Sequence, residues 1–322
     1  MILTELNRLF GVDIPLLNAP MTPQAGGALA RAVCEAGALG MLGFDEDETL
    51  EQIGEQLALL KTDNFSGPFG VGLVGWVLER TPQLLDLAIA ARPAFISISF
   101  GDPAPYIAKV HAAGILAGAQ VQSRAWAQTA LDAGADILVA QGTEAGGHTG
   151  RVGTLPLLQI VLEMTDRPVL AAGGVATGRG MAAALAAGAA GVWVGTPFLL
   201  ASESRSTPAA QAKIIESDET QTQLTSVYDR AQGKPWPADF SGRALRNQFL
   251  DRWHGHEDQL FDDPSALTDF RRAKGENDYT RANIYAGQSV GLIDRTRPAA
   301  QIVRDIADEA QVRLAAVSGL LT

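Results

Sequence analysis

Cysteine is all but missing from this chain of 322 residues, with Cys34 the only one. A lone thiol excludes an intramolecular disulfide framework and a cysteine-built metal cage. Set among alanine and valine from Ala30 to Ala36, it reads as a small apolar helix residue. Positive charge is also short: 25 Lys and Arg stand against 36 Asp and Glu, for a formal charge of −11. That balance removes the clustered cations that nucleic acids and anionic membrane surfaces reward, so neither is expected as a partner. No apolar run approaches the ~20 residues of a membrane helix, because Gly, Pro and charges interrupt every candidate. The first ten residues lack a charged leader, an apolar stretch and a small-residue cleavage site, which leads us to expect a cytoplasmic protein.

What is present is apolar residue in quantity, 47% of the chain, enough to bury a large core. The length suits one large α/β barrel with an appendage, or two smaller domains. Short apolar runs at 16–19, 38–42, 69–74, 94–99, 116–120, 136–140, 168–172 and 191–195 alternate with amphipathic stretches, the rhythm of βα units on a parallel sheet. Eight such strands close a TIM (β/α)8 barrel. Helical patterns at 81–91, 103–113, 124–133 and 178–187 lie between them. Glycines at 37, 114, 134 and 188 follow an alanine each time and read as helix stops before the next strand. A doubly wound open sheet shares this rhythm, but the strand count and the lack of an early G-x-G-x-x-G turn disfavour it.

Beyond Ser202 the composition turns polar, with scattered aromatics: Tyr228, Trp236, Phe240, Phe249, Trp253, Phe261, Phe270 and Tyr279. The expected organisation is a barrel over 1–206, a small helical subdomain inserted after strand eight over 207–297, and a closing barrel helix over 298–322. Tyr228, Trp236, Trp253 and their neighbours are expected to form the core of that subdomain. An insertion at this point leaves the face that carries the strand C-termini and can act as a lid.

The chemistry concentrates behind strand six. Gln141-Gly142-Thr143-Glu144-Ala145-Gly146-Gly147-His148-Thr149-Gly150 places a histidine in a glycine-rich loop, where a backbone can approach a ligand and an imidazole can exchange a proton. Glu144, four residues earlier, orients the imidazole, points to solvent or anchors the loop. Ser99 ends strand four and faces the same region, where a hydroxyl is as often a turn-maker as a ligand, and Arg151 follows the loop as a candidate for attracting an anionic substrate, with solvation its default. Strand seven runs into Gly173 and Gly174, and strand eight into Val194, Gly195 and Thr196. Loops at those two positions form the phosphate cradle common in TIM barrels, built from bare amides, a threonine hydroxyl and a helix amino terminus. His254 and His256 flank a glycine in a polar segment and lack further ligands at fixed spacing, so no metal is expected.

Taken together, Asn18-Ala19-Pro20-Met21, Ser99-Phe100-Gly101-Asp102-Pro103, the loop from Gln141 to Gly150, Ala171-Ala172-Gly173-Gly174 and Trp193-Val194-Gly195-Thr196 resemble the nitronate monooxygenase family. These are FMN-binding TIM barrels formerly called 2-nitropropane dioxygenases, related to flavin-dependent enoyl-acyl-carrier-protein reductases and some quinone reductases. The resemblance runs from Gly11 to about Asn247.

It implies that Ala19, Pro20 and Met21 pack at the flavin ring, and that Gln141, Gly146 and Gly147 hold the flavin and its ribityl chain. It implies further that Gly173, Gly174, Trp193, Val194, Gly195 and Thr196 take the phosphate. Two positions of the flavin site depart from the family pattern: Gln120 stands where some relatives carry lysine, and Gly72 where many carry asparagine. By the same resemblance His148 is the catalytic residue, taking the α-proton of a nitroalkane or holding the nitro group of a nitronate. The implied reaction oxidises an alkyl nitronate with dioxygen to a carbonyl compound and nitrite. A reductase passing hydride from NAD(P)H through FMN to a quinone or enoyl thioester is the alternative, and a flavin carrier without turnover is a third. The expected partners are a small-molecule substrate and dioxygen, and the acidic surface is compatible with a monomer or a homodimer.

Overall fold

The computed structural model describes residues 2–62, 65 and 67–320. Eight parallel strands form the barrel: β1 (Leu16–Asn18), β2 (Gly40–Gly43), β3 (Phe69–Val74), β4 (Phe95–Ser99), β5 (Leu116–Val121), β6 (Ile137–Gln141), then, after a short excursion β7 (Gly147–Thr149), β8 (Val169–Ala172) and β9 (Gly191–Val194). Their spatial order is β1-β9-β8-β6-β5-β4-β3-β2, and a parallel bridge between Leu17 and Leu39 joins the two edges. The eight strands lie where the apolar runs predict them, with ends displaced by two residues at most.

Side chains alternate between two buried layers, as the strand period of two demands. Leu17, Met41, Phe95, Val139, Leu170 and Trp193 fill the barrel interior, while Leu16, Val71, Ile96, Leu138, Ala171 and Val192 face the helices. Burial on both faces explains why these strands read as continuous apolar runs. A first helix, Glu5–Phe10, closes the end that carries the strand N-termini: Leu6 and Phe10 enter the interior cluster, and the Thr4 hydroxyl donates to the carbonyl of Ala190 at 2.6 Å. The glycine stops behave as expected. Gly37, Gly114, Gly134 and Gly188 have φ of +89°, +73°, +90° and +104°, a region that favours glycine.

The segment after β9 carries helices, and it carries two strands as well. β10 (Thr222–Thr225) and β11 (Ser241–Leu245) join β7 in an antiparallel sheet ordered β10-β11-β7, with His148 opposite Gly242. The segment is therefore stitched by backbone pairing to the loop behind β6, at the end of the barrel where the strands have their C-termini. Tyr228, Phe249, Trp253 and Phe270 form its apolar centre. A last helix, Ala299–Ser318, packs back on the barrel helices Gly27–Glu35 and Gly178–Ala186. Among the described residues no helix is long and apolar enough to cross a membrane.

Candidate active site

Three residues of the expected glycine loop form strand β7, and that pairing fixes the imidazole. Gly147 takes φ +71°, turning the chain so that His148 enters the small sheet with its side chain buried. Gln141, at the end of β6, donates from Nε2 to the His148 carbonyl at 3.1 Å and accepts from Gln122 Nε2 at 2.8 Å. The Thr149 hydroxyl donates to the Gly142 carbonyl at 2.9 Å. Gln141 is thus engaged with the histidine loop itself.

The imidazole meets three side chains from the appended segment. Its Nε2 lies 2.9 Å from Asp229 Oδ1, on the helix Val227–Gln232, and both side chains are 7% exposed. The Tyr285 hydroxyl donates to the same oxygen at a long 3.5 Å. Burial, then the neighbouring Asp229, pushes the Tyr285 phenol well above its ordinary range, so it stays a neutral donor. Trp236 stacks on the imidazole with ring centroids 3.3 Å apart and planes 5° from parallel. An aromatic wall continues outward: Trp76 and Phe100 meet Trp236 edge-on at 5.3 and 5.2 Å, and Phe240 meets Phe100 and Trp126 at 5.2 Å. Phe100 holds φ +63°, a strained value for a bulky residue, at the C-terminal end of β4 beside this wall.

Trp236 is where the aromatic expectation needs correcting. It is half-buried against His148 and outside the segment's core, whereas Tyr228 and Trp253 are in it. Glu144 resolves in favour of the loop: its carboxylate accepts from the Thr154 amide at 2.9 Å and the Thr154 hydroxyl at 2.8 Å, and makes no contact with the imidazole. Ser99 is buried, its hydroxyl accepting from the Gln120 amide at 3.0 Å, which braces β5 against β4. Arg151 is exposed.

The rim tells which residues have room for a ligand. Ala19, Pro20, Met21, Gln120, Gly146, Gly147, Gly173 and Gly195 are half-exposed and Gly174 is exposed, although the strands that lead to them are buried. No protein acceptor among the described residues takes the amides of Gly174, Gly195 or Thr196, and Gly173 and Gly174 have φ of +101° and +71°. Free amides at the ends of β8 and β9 fit a phosphate. Among the described residues the short helix that opens at Thr196 keeps its first amide free, whereas the helix after β8 has its amino terminus occupied. Gly178, which opens the helix after β8, donates to Glu309 Oε2 at 2.9 Å, and Thr177 caps the same turn. The Thr196 hydroxyl accepts from the Gly287 amide at 2.9 Å, so a strap through Ala286, Gly287 and Gln288 crosses this corner beside Gly146.

Two further positions are explained by packing. The side chain of Trp193 is in the barrel interior, 6.3 Å from Phe95, so only its backbone can serve the rim. At Gly72 a Cβ would sit 2.3 Å from Cγ of Pro20. The proline ring fills the space an asparagine would need, and Gly72 offers the site no side-chain donor. Gln120 makes no side-chain hydrogen bond to protein among the described residues, which leaves its amide available at the rim.

Asp229, Tyr285 and Gln122 are neighbours of the histidine and its loop that the sequence pattern did not single out, and Trp236 is one that it assigned to the subdomain core. Among the described residues no group of three or more His, Cys, Asp or Glu gathers as a metal site; His254 faces Glu257 at 3.6 Å and His256 is exposed.

Comparison with known proteins converges on one group. The family profile described as Nitronate monooxygenase matches residues 77–309. Nitronate monooxygenase npaC of Metarhizium robertsii is 32% identical, covering 94% of this chain and 92% of its own length. A protein of Rhodococcus jostii named (3aS,4S,5R,7aS)-5-hydroxy-7a-methyl-1-oxo-octahydro-1H-indene-4-carboxyl-CoA dehydrogenase is 39% identical over 72% of this chain and 64% of its own. Among solved structures, FabK from Thermotoga maritima superposes with a TM-score of 0.85 at 31% identity, over 99% of this chain and 100% of that one.

Proposed function

From the premise that this chain belongs to the nitronate monooxygenase family of flavin-dependent oxidoreductases, we propose that it uses FMN and dioxygen to oxidise alkyl nitronates to a carbonyl compound and nitrite. The observation that carries this reading is the buried His148–Asp229 pair beside the rim of strand ends. When bound, the flavin supplies the electron transfer and the reaction with dioxygen. The amides of Gly174, Gly195 and Thr196 would hold its phosphate, with Ala19, Pro20, Met21 and the Gln120 amide toward its ring. His148 takes the α-proton of a nitroalkane or, already protonated, neutralises the nitro oxygens of a nitronate. Trp76, Phe100, Trp236 and Phe240 exclude water from the alkyl part and strengthen every polar contact inside.

A second reading has its own support: transfer of hydride from NAD(P)H to a quinone or an enoyl thioester on the same scaffold. What favours it is the 39% identity to a relative whose name specifies a carboxyl-CoA substrate. One anaerobic experiment separates the two. Flavin bleaching by ethylnitronate or propylnitronate supports the first reading; bleaching only by NADH or NADPH overturns it in favour of the second.

A further inference from the structure

We infer that Asp229 is a positioning residue, braced by Tyr285, which decides the ring nitrogen through which His148 exchanges its proton with substrate. The inference rests on the proposed proton-taking role of His148 and deepens it. An ionised carboxylate only accepts hydrogen bonds, so at 2.9 Å from Asp229 Oδ1 the proton of the neutral imidazole sits on Nε2. The lone pair is then on Nδ1. That atom has no hydrogen-bond partner among the described residues, and it is not among the side-chain nitrogens sealed from solvent.

Asp229 itself has no Lys or Arg within 4.0 Å among the described residues, and a carboxylate buried to this degree costs free energy unless something compensates it. The compensation comes from the two groups that touch it, the imidazole and the Tyr285 hydroxyl. The cation on the adjoining strand, Arg243, is turned away, with Nε on the Thr143 carbonyl and Nη1 on the Thr222 hydroxyl. Asp229 and Tyr285 are therefore the titratable groups in contact with the ring, and the stacked Trp236 adds no charge.

In the step so arranged, the Cα–H bond of a neutral nitroalkane breaks and its electron pair stays with the substrate as the nitronate. The proton forms a bond to Nδ1. The resulting imidazolium faces the Asp229 carboxylate, which stabilises the charge as it develops.

Three variants test this: Asp229→Asn, His148→Asn and Tyr285→Phe, each checked for flavin content and melting temperature. With nitroethane as substrate, Asp229→Asn is expected to lower kcat at least about tenfold with KM changed less than about threefold. The acid limb of its pH–rate profile moves about one unit to lower pH, because loss of the carboxylate disfavours the imidazolium. Turnover of preformed ethylnitronate, which needs no proton abstraction, falls by a smaller factor than turnover of nitroethane. Tyr285→Phe, which keeps the carboxylate but removes a donor to it, shifts the same profile in the opposite direction by a smaller amount.

A readout independent of turnover is the ring 15N spectrum of flavin-free protein. The chain has four histidines, and the signal missing in His148→Asn identifies the one in question. It should show the proton on Nε2; a proton on Nδ1 overturns the inference even if Asp229→Asn does not fold. An Asp229→Asn enzyme with the parental kcat and pH profile also overturns it. If His148→Asn is slow and Asp229→Asn is not, the positioning role alone falls. If His148→Asn is as fast as the parent on nitroethane, the proton-taking reading falls and takes this inference with it.

Discussion

Between Trp193 and Thr196 the chain passes in three residues from the barrel interior to its rim, and the two regions treat polar groups in opposite ways. Inside, Trp193 packs with Phe95, and Phe95 with Phe10, while the indole nitrogen of Trp193 is sealed without a partner among the described residues. At the rim, Gly195 is half-exposed, the Thr196 hydroxyl is hydrogen-bonded, and free amides face outward. The aromatic side chains of the interior pack by shape and area. The rim gives up area to keep donors open. Substitutions inside should thus register as stability and substitutions at the rim as chemistry.

The largest effect that sharpens this contrast is at the rim. His148→Asn should reduce kcat/KM for neutral nitroalkanes by about 10²–10⁴-fold, with flavin content retained. Stopped-flow flavin reduction with nitroethane measures it, and parental rates would remove His148 from the reaction. In the interior, Trp193→Ala leaves a large void and should cost roughly 3–5 kcal/mol, read as a lower urea midpoint. Were that variant as stable as the parent but inactive, the division between the two regions would be wrong.

Trp236→Ala separates the regions with a third aromatic. Its ring is half-buried and stacked at the rim, so the stability loss should be about 0.5–1.5 kcal/mol, well below that of Trp193→Ala. The same change should raise kcat/KM for bulkier nitronates relative to ethylnitronate, since the wall over the imidazole opens. Equal ratios in variant and parent would show that the indole does not limit access.

The smallest effect concerns the thiol. Burial pushes Cys34 up to about 12 from 9.0. A folded value above the unfolded one means that the associated stability is intact below pH 9 and is lost as pH rises toward 12. At pH 8 the native protein should react with iodoacetamide far more slowly than the urea-unfolded chain, and equal rates would contradict the burial.

The barrel was legible because strands buried on both faces must be apolar runs, and helix stops must be glycines where φ turns positive. The small sheet was not. β7 is three residues within a glycine-rich stretch, and the sequence of β11, Ser241-Gly242-Arg243-Ala244-Leu245, shows little strand alternation. His148 stood out through its local surroundings, whereas Asp229 is 81 residues away, and nothing in a helix of six residues marks one carboxylate as its partner. Trp236 could not be told from Trp253 by composition, since both are tryptophans in a polar segment. Gly72 stands out in the sequence as a departure, and its cause, the ring of Pro20, exists only in three dimensions.

The indole lying flat on His148 gives the molecule a built-in optical reporter. A ligand that displaces Trp236 from the imidazole face would alter its emission, while one that reaches only the ring edge would leave the stack and its signal intact. Fluorescence of a chain whose other four tryptophans are replaced by phenylalanine would distinguish these two modes of approach before any turnover occurs.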